Sequence, residues 1–154
     1  MKKLFLLFLL PVVAGCLSSA PKAPVKWNID ADTGLEVSTV SVAAPFDVET
    51  IAVMRQDGSL VFDYYNVFAE RPARLVKNAV KVGTVGPALT VRHLALDCRE
   101  PNRRRAYVTV RLDGDGKTAN GEGIASAADR NYTRAFSEAL ATAIGKAAAE
   151  YSKE

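Results

Sequence analysis

Histidine and cysteine are nearly missing from this chain, and their scarcity excludes much chemistry. One histidine and two cysteines occur in 154 residues. A zinc centre draws three or four ligands from such residues, and His93 with Cys98 cannot build one. Nor do they read as base and nucleophile. They lie five positions apart in one expected strand, and an odd separation puts two side chains on opposite faces. The Gly-x-Ser-x-Gly signature of a serine hydrolase does not occur. Long apolar runs are also missing. The longest, residues 4–13, is interrupted by Pro11 and falls well short of the roughly 20 residues a membrane span requires. Finally, neither sign of charge dominates. The chain has 20 Lys+Arg against 17 Asp+Glu, and two of the lysines, Lys2 and Lys3, belong to the opening segment; 20 − 2 = 18 leaves a surplus of +1 beyond it. That is no nucleic-acid footprint. The one basic cluster, Arg103-Arg104-Arg105, follows Pro101-Asn102 and reads as a solvated turn. There are no internal repeats.

What is present begins at the first residue. Met1-Lys2-Lys3 is a positive start, residues 4–13 form an apolar core, and small residues follow in Val13-Ala14-Gly15-Cys16. This is the composition of a secretory signal. Val-Ala-Gly-Cys resembles the lipobox of bacterial lipoproteins. The resemblance implies cleavage before Cys16, diacylation of its thiol and acylation of its new amine. Residues 1–15 are then a signal peptide. Residues 16–24, small, polar and containing Pro21 and Pro24, are a semi-extended lipidated tether. Residues 25–154 form one periplasmic domain. Two or more acyl chains hold a protein on a bilayer almost permanently. Leu17, where an Asp would favour the inner membrane of a Gram-negative cell, implies outer-membrane sorting. With Cys16 consumed by lipid, Cys98 stands alone in an oxidising compartment and is expected to be buried as a small apolar residue.

The domain reads as strands interrupted by two helices. A short edge strand is expected around Trp27, over residues 25–29, then a turn over 30–34. Residues 36–43 alternate as a strand that Pro45 ends. Two apolar runs, 50–55 and 60–65, flank Gln56-Asp57-Gly58-Ser59, which predicts a hairpin with a type I′ turn. Pro72 suits the first position of a helix. Leu75, Val76, Ala79 and Val80 would form that helix's apolar side, and Gly83 would cap its end. Strands follow at 89–98, 105–112 and 117–126, with Asp113-Gly114-Asp115-Gly116 as a turn. Ala119, Gly121, Gly123 and Ala125 share one face of the last strand and leave room for a closely packed helix. That helix would start near Asp129, with Ser126 as a cap, and present Tyr132, Phe136, Leu140, Ala143, Ala147 and Tyr151 to the sheet. Strand runs separated by two helices indicate an α+β fold: an antiparallel or mixed β-sheet with both helices packed on one face.

Other fragments fail as sites. Gly116-Lys117-Thr118 lacks the earlier glycine of a phosphate loop, since Arg111 stands there, and it leads into a strand. Asp113-x-Asp115 would be a calcium loop only with an oxygen ligand at Lys117 and an acid at Ile124. Asp63, Glu70 and Asp97 have no spacing that pairs them and read as solvated or hydrogen-bonded carboxylates. No catalytic residue, metal or cofactor is expected.

The segments Ile51-Ala52-Val53-Met54-Arg55, Phe62-Asp63-Tyr64-Tyr65-Asn66 and Phe68-Ala69-Glu70-Arg71-Pro72 resemble the ABC-type transport auxiliary lipoprotein family. There a hairpin and a Tyr-containing segment lead through a Trp-Ala-x-x-Pro-like stretch into the first helix; Phe68 stands at the Trp position. Leu94-Ala95-Leu96-Asp97-Cys98-Arg99 and the Ser-Ala-Ala-Asp stretch before the last helix are similar too. The resemblance implies a non-enzymatic, membrane-anchored accessory lipoprotein. Its partners would be the lipid bilayer, through acylated Cys16, and an ABC permease and ATPase with an MCE-type substrate-binding protein that move lipid. Tyr64, Tyr65, Phe68 and Pro72 are expected to pack as a junction between hairpin and first helix; exposed, they would instead be a partner surface. The rival reading is an envelope-assembly or cell-wall-synthase regulatory lipoprotein.

Overall fold

The computed structural model describes residues 22–153. The signal segment, Cys16 and the tether through residue 21 lie outside the described residues. Nine strands and two helices follow in the order β1 (Val25–Trp27), β2 (Glu36–Val37), β3 (Thr39–Val42), β4 (Thr50–Met54), β5 (Leu60–Phe68), α1 (Pro72–Asn78), β6 (Lys81–Val82), β7 (Ala88–Asp97), β8 (Arg105–Gly114), β9 (Lys117–Ser126) and α2 (Tyr132–Tyr151). The fold is α+β, with a seven-stranded sheet ordered β1-β5-β4-β7-β8-β9 and β3 also on β7. The sheet is mixed. β4–β5, β7–β8 and β8–β9 are antiparallel, while β1–β5, β3–β7 and β4–β7 are parallel. No helix among the described residues is long and apolar enough to cross a membrane.

The expected strand over 36–43 breaks at Ser38, whose N–H donates to the Pro87 carbonyl at 3.0 Å. Its first part pairs with β6 and its second with β7. β3 and β4 then share one edge of β7. Val42 is opposite Val91 and Ala52 opposite Ala95, so residues 43–51 leave the ladder as an excursion and return to it. Phe46 of that excursion is buried against the His93 ring, centroids 5.3 Å apart.

The core lies between the sheet and the helices. Ala106, Val108, Val110 and Leu112 of β8 point inward, as their alternation requires. Leu75 and Val76 of α1 join the same core. On α2, Tyr132, Phe136, Leu140, Ala143 and Ala147 are buried, and Tyr151 is half-buried. The small face of β9 does what its composition implied. A methyl group on Gly121 would overlap the Ala143 carbonyl, and one on Gly123 the Ala139 carbonyl. α2 therefore rests directly on strand backbone.

Several boundaries differ from the sequence reading. α1 ends at Asn78 with Ala79 as its C-cap. Gly83 caps nothing; its N–H donates to Val37, because Lys81–Val82 pair with β2 instead of continuing the helix. α2 is capped by Asn131, whose side chain accepts from the Arg134 N–H. Ser126 is still in β9. Strand β1 stops at Trp27 because the next residues turn to α2: the N–H groups of Asn28 and Asp30 donate to Thr133 Oγ1 and Ser137 Oγ. The hairpin over 50–65 is present but its turn is not type I′. Gly58 has φ +80° and Asp57 does not turn positive. A three-residue loop results, with Gly58 N–H donating to Arg55 and Arg55 N–H to Ser59. Paired positive φ values occur in the other hairpin, at Asp115 (51°) and Gly116 (75°), between the partners Gly114 and Lys117. That two-residue loop has the sign pattern of a type I′ turn.

Candidate functional site

The four residues expected as a junction separate into two pairs. Phe68 is 1 % exposed and meets the Phe136 ring edge-on, centroids 5.2 Å apart. Pro72, the first residue of α1, is buried too. Tyr64 and Tyr65 are 74 % and 68 % exposed, so they do not pack in the junction. The cause is a bulge. Thr50 is opposite Val67, and its neighbour Ile51 is opposite Asp63, so one step on β4 spans four on β5. Residues 64–66 have no partner on β4 and are pushed out of the ladder.

The bulge has its own scaffold. Asp63 Oδ1 accepts from the Tyr65 N–H at 2.9 Å and the Asn66 N–H at 3.2 Å. Its Oδ2 accepts from Asn66 Nδ2 at 2.8 Å. Asn66 Oδ1 in turn accepts from the Trp27 indole at 3.0 Å. Trp27 packs at a tilt against the buried Tyr132, ring centroids 5.0 Å apart, so the chain is anchored in the core. Asp63 is thus a structural acceptor.

Beside the bulge is a cleft of about 250 Å³ whose lining includes Asp63, Asn66, Cys98, Arg104, Arg130 and Tyr132. Arg104 donates to the Tyr132 hydroxyl at 2.8 Å. Cys98, expected to be buried, is half-buried. It follows β7 directly, and its N–H donates to Met54.

The other two carboxylates also have local partners. Glu70 pairs with Arg74 at 2.7 Å across one turn. Asp97 is 2 % exposed, the one buried charged residue among those described. Arg99 donates to it from its backbone N–H and both sides of its guanidinium, and Arg105 adds a fourth bond. The Arg99 hydrogen bonds outweigh the cost of burial and hold the Asp97 carboxyl down at about 2. The basic cluster is not a free loop: Arg103 and Arg105 pair with Glu100, and Arg104 with Tyr132. His93 accepts or donates to Thr109 at 2.8 Å. Partial burial, helped by the charge of Arg92, lowers its pKa.

The face of the sheet turned away from α2 carries a feature visible only once the register is known. Ladder partners share a face, and Phe62, Ala52, Ala95, Tyr107 and Ile124 are successive partners across β5, β4, β7, β8 and β9. Since Gly123 and Ala125 face α2, Ile124 faces the opposite way. This apolar row crosses five strands. Ile124 is 46 % exposed. Tyr107 is half-buried, and its hydroxyl donates to Glu122 at 3.1 Å. Burial, and then that carboxylate, raise its pKa.

The fold is shared with proteins of known crystal structure. One, an uncharacterized protein, superposes with a TM-score of 0.57 at 10 % identity, over 86 % of this chain and 99 % of its own. Another, protein XCC0632 from Xanthomonas campestris, of family DUF330, gives a TM-score of 0.51 at 18 % identity, over 87 % and 93 %. The chain is similar to these in architecture. No protein-family model and no curated protein matches it.

Proposed function

We propose that this protein is a lipid-anchored periplasmic accessory subunit of an ABC-type, MCE-like lipid transport system, and that it works by docking to a protein partner. The observation that carries the docking step is the apolar row on the helix-free face of the sheet, where Phe62 and Tyr107 are half-buried and Ile124 is exposed, while Ala52 and Ala95 between them are buried. Water-facing sheet surfaces normally alternate to polar residues, and an apolar row there favours contact with another surface. The lipobox at Cys16 and the resemblance of the hairpin and first helix to the auxiliary lipoproteins supply the compartment and the class of partner. Docking requires no catalytic constellation, and the carboxylates Asp63, Glu70 and Asp97 are each occupied in holding local structure.

A photo-crosslinking side chain at Ile124, and another at Gln56 on the hairpin tip, should capture an MCE-type protein or a transport permease in intact cells. Reproducible capture of a peptidoglycan synthase, with no transport component, would replace this reading with that of a cell-wall regulator.

A further inference from the structure

We infer that the β5 bulge, with Tyr64 and Tyr65 at its crest and Val25 beside it, is a bilayer-contact surface that sets the domain's orientation on the membrane. The inference rests on lipidation of Cys16. Tyr64, Tyr65 and Val25 are 74 %, 68 % and 51 % exposed, three of the most exposed large apolar side chains described. They are contiguous, because Val25 is the ladder partner of Asn66, the residue after Tyr65. Lys26, the neighbour of Val25 on β1, and Lys22, three residues before Val25 in the chain, are both exposed. Tyrosine has an apolar ring and a polar tip, which suits the level of lipid headgroups. Adjacent lysines add attraction to anionic lipid.

The occupant follows from where the chain goes. Residues 16–24 join the acylated cysteine to Val25. Nine residues reach at most about 30 Å fully extended. A domain of 153 − 21 = 132 described residues has a radius of gyration of roughly 14 Å and a breadth of roughly 35 Å. The tether is therefore shorter than the domain is wide, so the edge carrying Val25 cannot turn to the side farthest from the bilayer. The tyrosines are held ready on that edge. Asp63 and Asn66 fix the bulge backbone, so immersing the two rings orders no loop.

The test uses the mature acylated protein in phosphatidylethanolamine–phosphatidylglycerol vesicles containing phosphatidylcholine brominated high in its acyl chains. Trp27 is the sole tryptophan and half-buried; its indole bonds Asn66 of the bulge, so its own quenching is measured in the parent protein and subtracted from each variant's. Tyr65→Trp should add fluorescence that bromine quenches by about twofold, as a ring at the headgroup boundary would be; Ile124→Trp, on the sheet face, should lose none of its added signal. Matching urea transitions establish that both variants fold. If the protein floats with the vesicles and the added fluorescence of Tyr65→Trp is unquenched, the contact surface is refuted while the anchor stands. If it does not float and Cys16 carries no acyl mass, the anchor fails and this inference with it. A photo-crosslinker at Tyr64 that captures protein and no lipid also overturns it.

Discussion

Phe68 and the two tyrosines a few positions before it are similar in chemistry and opposite in fate, because the β5 backbone leaves its ladder between them. Phe68→Ala should cost about 3–5 kcal/mol in urea unfolding, since it empties a site closed by Phe136. Tyr64→Ala and Tyr65→Ala should change stability by less than about 0.5 kcal/mol. Asp97 allows a test by pH. Its folded carboxyl is depressed to about 2, whereas an unfolded aspartate titrates near 3.9. A depressed pKa means stability that is complete above the unfolded value and is lost as pH falls from about 5 towards 2. Arg99 is half-exposed, so the contribution is on the order of 1–2 kcal/mol after solvent screening. Urea midpoints measured across that range should fall less steeply in Asp97→Asn than in the parent. Parallel slopes in the two proteins would remove Asp97 from the account of acid stability.

Among the elements, the contact of β9 with α2 has the least tolerance. Gly123→Ala places a methyl group into the Ala139 carbonyl, and strand or helix must move. A loss of about 2 kcal/mol or more is expected, together with a lower midpoint in thermal unfolding. Ala at Gly58, with open space but φ +80°, should cost only about 1 kcal/mol through backbone strain. The glycine spacing on β9 was legible because a face of Ala-Gly-Gly-Ala has one obvious use, close approach. The two hairpins were legible as hairpins, but Asp-Gly occurs in both. Turn class depends on how many residues the closing pair leaves free: three between Arg55 and Ser59, two between Gly114 and Lys117. The end of α1 is not legible locally, for a similar reason. Residues 79–82 continue the helical apolar spacing, yet Lys81 and Val82 gain a strand partner in β2, distant in sequence.

For the whole molecule, the decisive prediction concerns residue 16. Cys16→Ala, or globomycin treatment, should leave the precursor unprocessed and larger on a gel, and labelled palmitate should enter only the parent protein. Palmitate-free maturation of the parent would end the lipoprotein reading. If the opening segment is a lipoprotein signal, it is legible in sequence alone, because a processing machinery would read it as linear chemistry: charge, apolar length, small residues, cysteine. The long helix, the two hairpins and the α+β class are readable for a related reason, since periodicity, glycine and proline act over a few residues. Pairing across the sheet is another matter. The parallel placement of β3 and β4 on one edge of β7 and the apolar row from Phe62 to Ile124 depend on the register between segments tens of residues apart, and the bulge that exposes Tyr64 and Tyr65 on the register within the β4–β5 hairpin. A shift of one residue in a strand moves every side chain to the other face. Composition and local pattern therefore determined what the elements are, and only the assembled sheet decided which side chains remain outside.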